Sequence, residues 1–228
     1  DKRDAGDLQD MDTLELMRAC SKLAKRVTDV RRIPEYISMA FRHAHDSLPG
    51  PVYLEMPTNV LWQKAEAEQV VFPVNYRTEA IPCGDPALIE KAAELLAKAE
   101  RPAALIDDGA RFNIGEHAGD IAALSDHLKM PLGDAGVNCR GLVGDETKSP
   151  LLAKNAIVEA DVILALGCKF DFRHFFKAFI KPDAKIIQVH ADSRQIGYNL
   201  RADIGIIGGA GPVSRQLLDA VKTKRPKP

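Results

Sequence analysis

The sequence lacks the marks of several protein classes. Its four cysteines, Cys20, Cys83, Cys139 and Cys168, are far apart, with no CxxC pair and no histidine cluster beside them. That spacing builds neither a disulfide framework nor a zinc site, and a reducing compartment, the cytoplasm, is the expectation. Neither sign of charge is in excess, since Lys+Arg 31 against Asp+Glu 32 leaves a formal net charge of -1. Such a balance gives no attraction to polyanions, which argues against nucleic acid and against an anionic membrane surface as partners. No apolar run approaches the roughly 20 residues that a membrane-crossing helix needs. The opening DKRDAGDLQDMDTLE is too charged for a signal peptide, and it starts mid-pattern without Met, as expected for a piece of a longer protein. The GxGxxG fingerprint of dinucleotide-binding turns is also missing. The basic end at 222–228 is short and broken by Pro226, and a solvated, disordered tail over 223–228 is the expectation.

What the chain has is a succession of short apolar runs between helical patterns. Residues 1–33 are polar with scattered apolar positions and read as loop and short helix. Pro34 opens a helix that carries Tyr36, Ile37, Met39, Ala40 and Ala44 at helical spacing and ends before Leu48-Pro49-Gly50. Pro51 to Met56 reads as a strand stopped by Pro57, and residues 61–84, with Pro73, Pro82 and Gly84, read as a linker. From Asp85 the alternation is regular. A helix over Pro86–Ala99 with Asp85 as N-cap leads to a strand over Arg101–Ile106; a helix over Gly115–Leu128 leads to a strand over Met130–Leu132. A third helix ends at Ala160, the runs VILALG and KIIQV are two buried parallel strands, and a helix over Val213–Val221 closes the pattern. This order specifies an α/β fold, a doubly wound parallel sheet of Rossmann-like type over residues 85–222, preceded by a helix-strand remnant of another α/β domain over residues 1–60.

Parallel strands place ligands at their carboxyl ends. The candidates at those ends are Gly109, Ala110 and Arg111 after the first strand, Gly167 and Lys169 after VILALG, and His190 with Asp192 after KIIQV. Gly109 follows Asp107 and Asp108, two carboxylates that repel a phosphate, and a glycine that lets the turn take positive φ is the simpler reading. Gly167 allows close approach to the backbone and Lys169 suits a phosphate or ribose. His190 stands where an acidic residue often receives ribose hydroxyls, and Asp192 reaches the same side only if the strand continues. His43, His45, His117, His127 and His174 have no carboxylate spacing that marks a metal site or a catalytic triad, and Cys168 reads as a packed small residue. Phe170, Phe172, Phe175, Phe176 and Phe179 read as core or interface packing.

Six segments occur in a telling order: GPVYLEMPTNVL, ERPAALIDDGA, RGLVGDE, EADVILALGCKFDF, DAKIIQVHADSRQIGYN and IGIIGGAGPVSRQLLDAV. In that order the chain resembles the thiamine diphosphate-dependent enzymes of the acetolactate synthase, oxalyl-CoA decarboxylase and 2-hydroxyacyl-CoA lyase group. The resemblance implies that residues 1–60 end a pyrimidine-binding domain and that 85–222 form the central domain of a lyase or carboligase. It further implies thiamine diphosphate and Mg²⁺ held by domains outside this chain, so that the chain alone is not catalytic and contributes no metal ligand. A homodimer or homotetramer is implied for the parent, whose small-molecule substrate is bound by those other domains.

Central domains of these enzymes often hold FAD, ADP or the ADP part of coenzyme A, and the residues that do so differ here. A basic residue of the family's first glycine loop falls on Asp108, an Arg falls on Lys169, the ribose-binding Asp falls on His190, and the Asp of a closing GD pair falls on Gly209. Arg111 and Lys169 remain as cations, and Arg140 lies on a segment that approaches the active centre in relatives. The alternative to an enzyme fragment is a stand-alone module of the same fold binding FAD, ADP or NAD.

Overall fold

The computed structural model describes residues 6, 11–134, 150–172 and 178–224, of which 134 and 150–154 by backbone alone. The chain forms two compact units, Asp1–Ala80 and Ile81–Pro228.

In the first unit α1 (Thr13–Arg18) precedes a βαβ arrangement of β1 (Leu23–Arg26), α2 (Ile33–His45) and β2 (Val52–Glu55), and α3 (Thr58–Leu61) follows. The two strands pair in parallel from Leu23↔Val52 to Arg26↔Glu55. Arg26 grips Glu55 across them through Nε at 3.1 Å and a terminal nitrogen at 2.9 Å. Pro34 sits in the first turn of α2, where a missing N–H costs nothing, and beyond its last turn Lys22 Nζ donates to the carbonyls of Asp46 and Leu48. Val27, Tyr36 and Val60 form the buried centre, flanked by Leu54 and Met56. β1 corrects the reading of residues 1–33 as loop and helix. Its four residues, LAKR, carry no strand period of their own, and their extended state comes from pairing with β2. A turn of 3₁₀ helix at Ala67–Gln69 lies within the stretch read as linker.

The second unit is a five-stranded, wholly parallel sheet in the order β4-β3-β5-β6-β7. Its elements are α4 (Pro86–Lys98), β3 (Pro102–Ile106), α5 (Ala118–Leu128), β4 (Leu132–Asp134), α6 (Pro150–Glu159), β5 (Val162–Leu166), β6 (Lys185–His190), β7 (Ile204–Ile207) and α7 (Ala210–Lys224). The Asp85 carboxylate accepts from the N–H groups of Ala87 and Leu88, closing the start of α4. Strand side chains alternate between two cores. Ala104, Ile106, Leu164, Leu166, Ile187, Val189 and Ile206 face α4, α5 and α7, whereas Ala103, Leu105, Ile163, Ala165 and Ile186 face α6 and the Cys168–Phe170 segment. Both faces are therefore apolar, which is why these strands read as continuous hydrophobic runs.

The chain leaves β3 toward β4 through α5, then crosses back past β3 to β5 through α6 on the other face. Right-handed crossovers demand opposite faces for opposite directions, and the reversal leaves a switch point between the carboxyl ends of β3 and β5.

Several boundaries differ from the sequence reading. Gly115 to His117 is a turn, with Gly115 at φ +58°, so α5 starts at Ala118. Lys129, in the left-handed region at φ 51°, ends α5, and the Met130 N–H bonds back to Ser125 O, so the following strand begins at Leu132 rather than Met130. α7 begins three residues before Val213. β7, which the sequence reading did not assign, completes the sheet, and only a 3₁₀ turn at Ser193–Gln195 links β6 to it. The tail at 225–228 lies outside the described residues.

Candidate functional site

The switch point sits where β3, β5 and β6 end. After β3, Asp107 caps a stretch of 3₁₀ helix over Asp108–Asn113, its carboxylate accepting from the Asp108 N–H and its carbonyl from the Ala110 N–H at 2.8 Å. This local closure has a consequence for anions. A phosphate cradle needs a long helix to start at the glycine turn and aim its free N–H groups at the ligand. Here α5 starts only at Ala118, so the loop after β3 offers no such helix terminus.

Gly109 does not adopt positive φ, contrary to the simpler reading of its role. Glycine is required there for space. A methyl group on Gly109 would lie 2.5 Å from the Gly167 carbonyl oxygen and 2.6 Å from His190 Nε2. Gly167 needs glycine twice over, with φ +69° and a would-be methyl 2.1 Å from the Ala110 nitrogen. The group that approaches its backbone closely is thus the chain's own first loop. Of the remaining candidates, Lys169 is half-buried and its carbonyl accepts from Asn199 Nδ2 at 3.0 Å, and Arg111 is exposed.

His190 is the last residue of β6 and is 1% exposed. Its Nδ1 accepts the Asp192 N–H at 2.9 Å, which puts the neutral ring's proton on Nε2. Nε2 has no hydrogen-bond partner among the described residues and faces Gly109. Burial pushes the imidazole pKa below its ordinary value, against the pull of the nearby Asp192 and Asp107 carboxylates.

The strand does not continue to Asp192. That residue caps the Ser193–Gln195 turn, and its carboxylate accepts from the Arg194 N–H and guanidinium at 3.0 and 2.8 Å. The Arg194 guanidinium holds its pKa down at about 2, outweighing burial. Both residues at the ribose position are engaged with their own neighbours. The structure thus brings Gly109, Ala110, Gly167 and His190 into one packed cluster, sets Asp192 and Lys169 at its border, and leaves Arg111 outside it.

Three features escaped the sequence reading. Gln188, buried at mid-strand in β6, donates to the Cys168 and Gln195 carbonyls, each at 2.9 Å, and accepts from the Gly197 N–H at 2.8 Å. One polar residue inside the run KIIQV was the available signal. His117, which the sequence did not pair with any residue, bonds through Nδ1 to Asp120 at 2.8 Å, and Arg215 of α7 reaches the other oxygen of Asp120 at 3.2 Å, tying α5 to α7. The aromatic run is not one cluster: Phe170 is fully buried with φ 51°, whereas Phe172 is 73% exposed. His174, Phe175 and Phe176 lie outside the described residues, as do Cys139, Arg140 and the RGLVGDE segment.

Among the described residues no three His, Cys, Asp or Glu side chains gather as a metal site, and no helix is long and apolar enough to cross a membrane. No described residue is assigned to Mg²⁺ or to thiamine diphosphate.

Comparison with known proteins agrees with this architecture. The chain is 33% identical over 93% of its length to a probable acetolactate synthase large subunit of Methanocaldococcus jannaschii, covering 38% of that protein. It is 32% identical over 96% of its length to a 2-hydroxyacyl-CoA lyase of Arabidopsis thaliana and 25% identical over 95% to an oxalyl-CoA decarboxylase of Escherichia coli, covering 40% and 39% of them. An X-ray structure from Mycobacterium smegmatis, assigned to the thiamin diphosphate-dependent enzymes, superposes over 96% of this chain and 44% of its own with a TM-score of 0.72 at 14% identity, a likeness of fold. Residues 89–217 match the family model described as thiamine pyrophosphate enzyme, central domain. The chain belongs to the thiamine pyrophosphate enzyme family, and its second unit is the central domain of that family.

Proposed function

We propose that this chain is the non-catalytic middle of a thiamine diphosphate- and Mg²⁺-dependent lyase or carboligase acting on 2-keto acids or 2-hydroxyacyl-CoA. The observation that carries the reading is the pattern of coverage. Three relatives named for that chemistry align with more than nine tenths of this chain, which spans about two fifths of each of them. A second observation favours a fragment over a stand-alone module. Among its described residues the first unit holds a two-stranded parallel sheet, a small part of an α/β domain, and residues 50–61 belong to it rather than to the central domain.

The chemistry that thiamine diphosphate supplies in such enzymes is a carbanion able to attack a keto or acyl carbon. The part of this chain is to hold shape. Its parallel sheet is packed on both faces, and its strand ends are tied together by Gly109, Gly167, Gln188 and His190. Residues 1–60 complete a pyrimidine-binding domain and 61–84 link it to the central domain. The full-length protein works in the cytoplasm as a homodimer or homotetramer, and its substrate and cofactor are held by its other domains.

The test is expression of the full-length gene product and assay with pyruvate, oxalyl-CoA and a 2-hydroxyacyl-CoA, each with and without thiamine diphosphate and Mg²⁺. Turnover of one of them that needs both additives, and none by the 228-residue chain, is the expected result. Full activity without thiamine diphosphate, or turnover by this chain alone, overturns the reading.

A further inference from the structure

We infer that the switch-point crevice of the second unit is sealed against adenine nucleotides by the chain's own groups, so that this central domain carries no FAD, ADP or coenzyme A at its strand ends. Among the described residues, the loops after β3 and β5 pack on each other and the ribose position is engaged from within. A nucleotide crossing between β3 and β5 must pass between the loops that follow them, and those loops touch. A methyl group on Gly167 would sit 2.1 Å from the Ala110 nitrogen and 2.5 Å from the Gly109 carbonyl carbon, closer than any side-chain carbon sits in practice. With no room even for a methyl group between Gly167 and the Gly109–Ala110 backbone, a ribose or a diphosphate does not fit between the two loops at this point.

The ribose position is closed in the same way. A carboxylate at the end of a strand accepts two ribose hydroxyls because both its oxygens are lone-pair acceptors. His190 offers one acceptor, Nδ1, and that is taken by the Asp192 N–H. The other ring nitrogen is a donor, is buried, and points at Gly109 rather than into open space. Asp192 is 5% exposed, and its carboxylate is held by Arg194.

After β7, Gly209 is packed against other parts of the unit. A methyl group there would lie 2.1 Å from Ile81 Cγ2 and 2.9 Å from the Asn113 carbonyl oxygen, so no acidic side chain fits that point. His190 and Gly209 belong together in this light. At both sites where the sequence departs from the family's acidic residues, no carboxylate is present and the position is packed against the chain's own atoms.

The inference goes beyond the proposed enzymatic reading and does not depend on it, because a nucleotide-loaded central domain is equally compatible with thiamine chemistry. Its test uses the His190 ring as the reporter. The imidazole resonances of the chain are followed by NMR while ADP, FAD or coenzyme A is raised to millimolar concentration, with the His190 signal assigned by its loss in His190→Gln. No saturable movement of that signal is expected with any of the three. A saturable shift, weakened in Lys169→Ala, overturns the inference. Should His190→Gln fail to fold, modification of the wild-type chain by diethyl pyrocarbonate decides instead. His190 is expected to stay unmodified, with or without nucleotide, under conditions that convert the exposed His43; modification of His190 at a rate similar to His43, or its protection by ADP, overturns it.

Discussion

Replacing Gly167 by alanine tests the packing of the switch point with a single methyl group. Two costs add at this position. The backbone at φ +69° lies in the left-handed region, where a Cβ costs about 1–2 kcal/mol. The methyl also meets backbone atoms of Gly109 and Ala110, which cannot swing away as a side-chain tip does, and overpacking of that kind costs about 1–3 kcal/mol or more. The sum is about 2–5 kcal/mol, or a fall of roughly 4–20 °C in Tm for a unit of this size. Gly119 is the control, since it lies in α5 with nothing within 4 Å of a would-be methyl, and Gly119→Ala is expected to be neutral or to stabilise by about 0.5 kcal/mol. Urea unfolding followed by far-ultraviolet circular dichroism is the assay, because the only tryptophan, Trp62, lies in the other unit. A Gly167→Ala variant within about 0.5 kcal/mol of the wild type refutes the packed switch point, because a left-handed alanine alone costs more than that.

Three further outcomes follow from the same region. Gln188→Leu leaves two carbonyls and one N–H buried without their partner, and a loss of about 2–4 kcal/mol is expected in the same urea assay. His190, whose folded pKa lies below the ordinary 6.5, makes stability fall as pH drops below 6.5, because the unfolded chain takes up the proton first; His190→Gln is expected to abolish that part of the pH dependence of the urea midpoint. Asp192 acts in a lower window, with a pKa depressed from 3.8 to about 2, so its contribution is present above about pH 4 and lost as pH falls toward 2. Arg194→Ala should shrink that acid-dependent loss by about 1–2 kcal/mol, a figure reduced for the solvent exposure of the Arg194 side chain.

The fold was legible wherever a segment buries both faces of a strand or one face of a long helix. VILALG, KIIQV and the Pro86–Ala99 pattern carry their structure in their own periods, and Asp85 marks a helix start that the structure closes by two hydrogen bonds. β1 was invisible because LAKR is extended only through its pairing with Val52–Glu55, a contact across the length of α2. The delayed start of α5 was equally hidden, since the 3₁₀ stretch after Asp107 depends on a cap and a turn that the helical period ignores. At the candidate site the sequence named most of the residues that converge, because strand ends and glycines are readable from order alone. What it could not give was who touches whom. Gly109 and Gly167 look like room for a ligand until the two loops are seen to fill each other's space, and Asp192 looks available until Arg194 is seen to hold it.

The proposal is that this chain supplies the scaffold of a thiamine diphosphate enzyme and none of its cofactor ligands. Calorimetric titration of thiamine diphosphate with Mg²⁺ tests it most directly, using the full-length gene product and the 228-residue chain side by side. Stoichiometric, saturable binding to the full-length protein and none to this chain is the predicted result. Stoichiometric binding to this chain alone, or its absence from the full-length protein, contradicts the account.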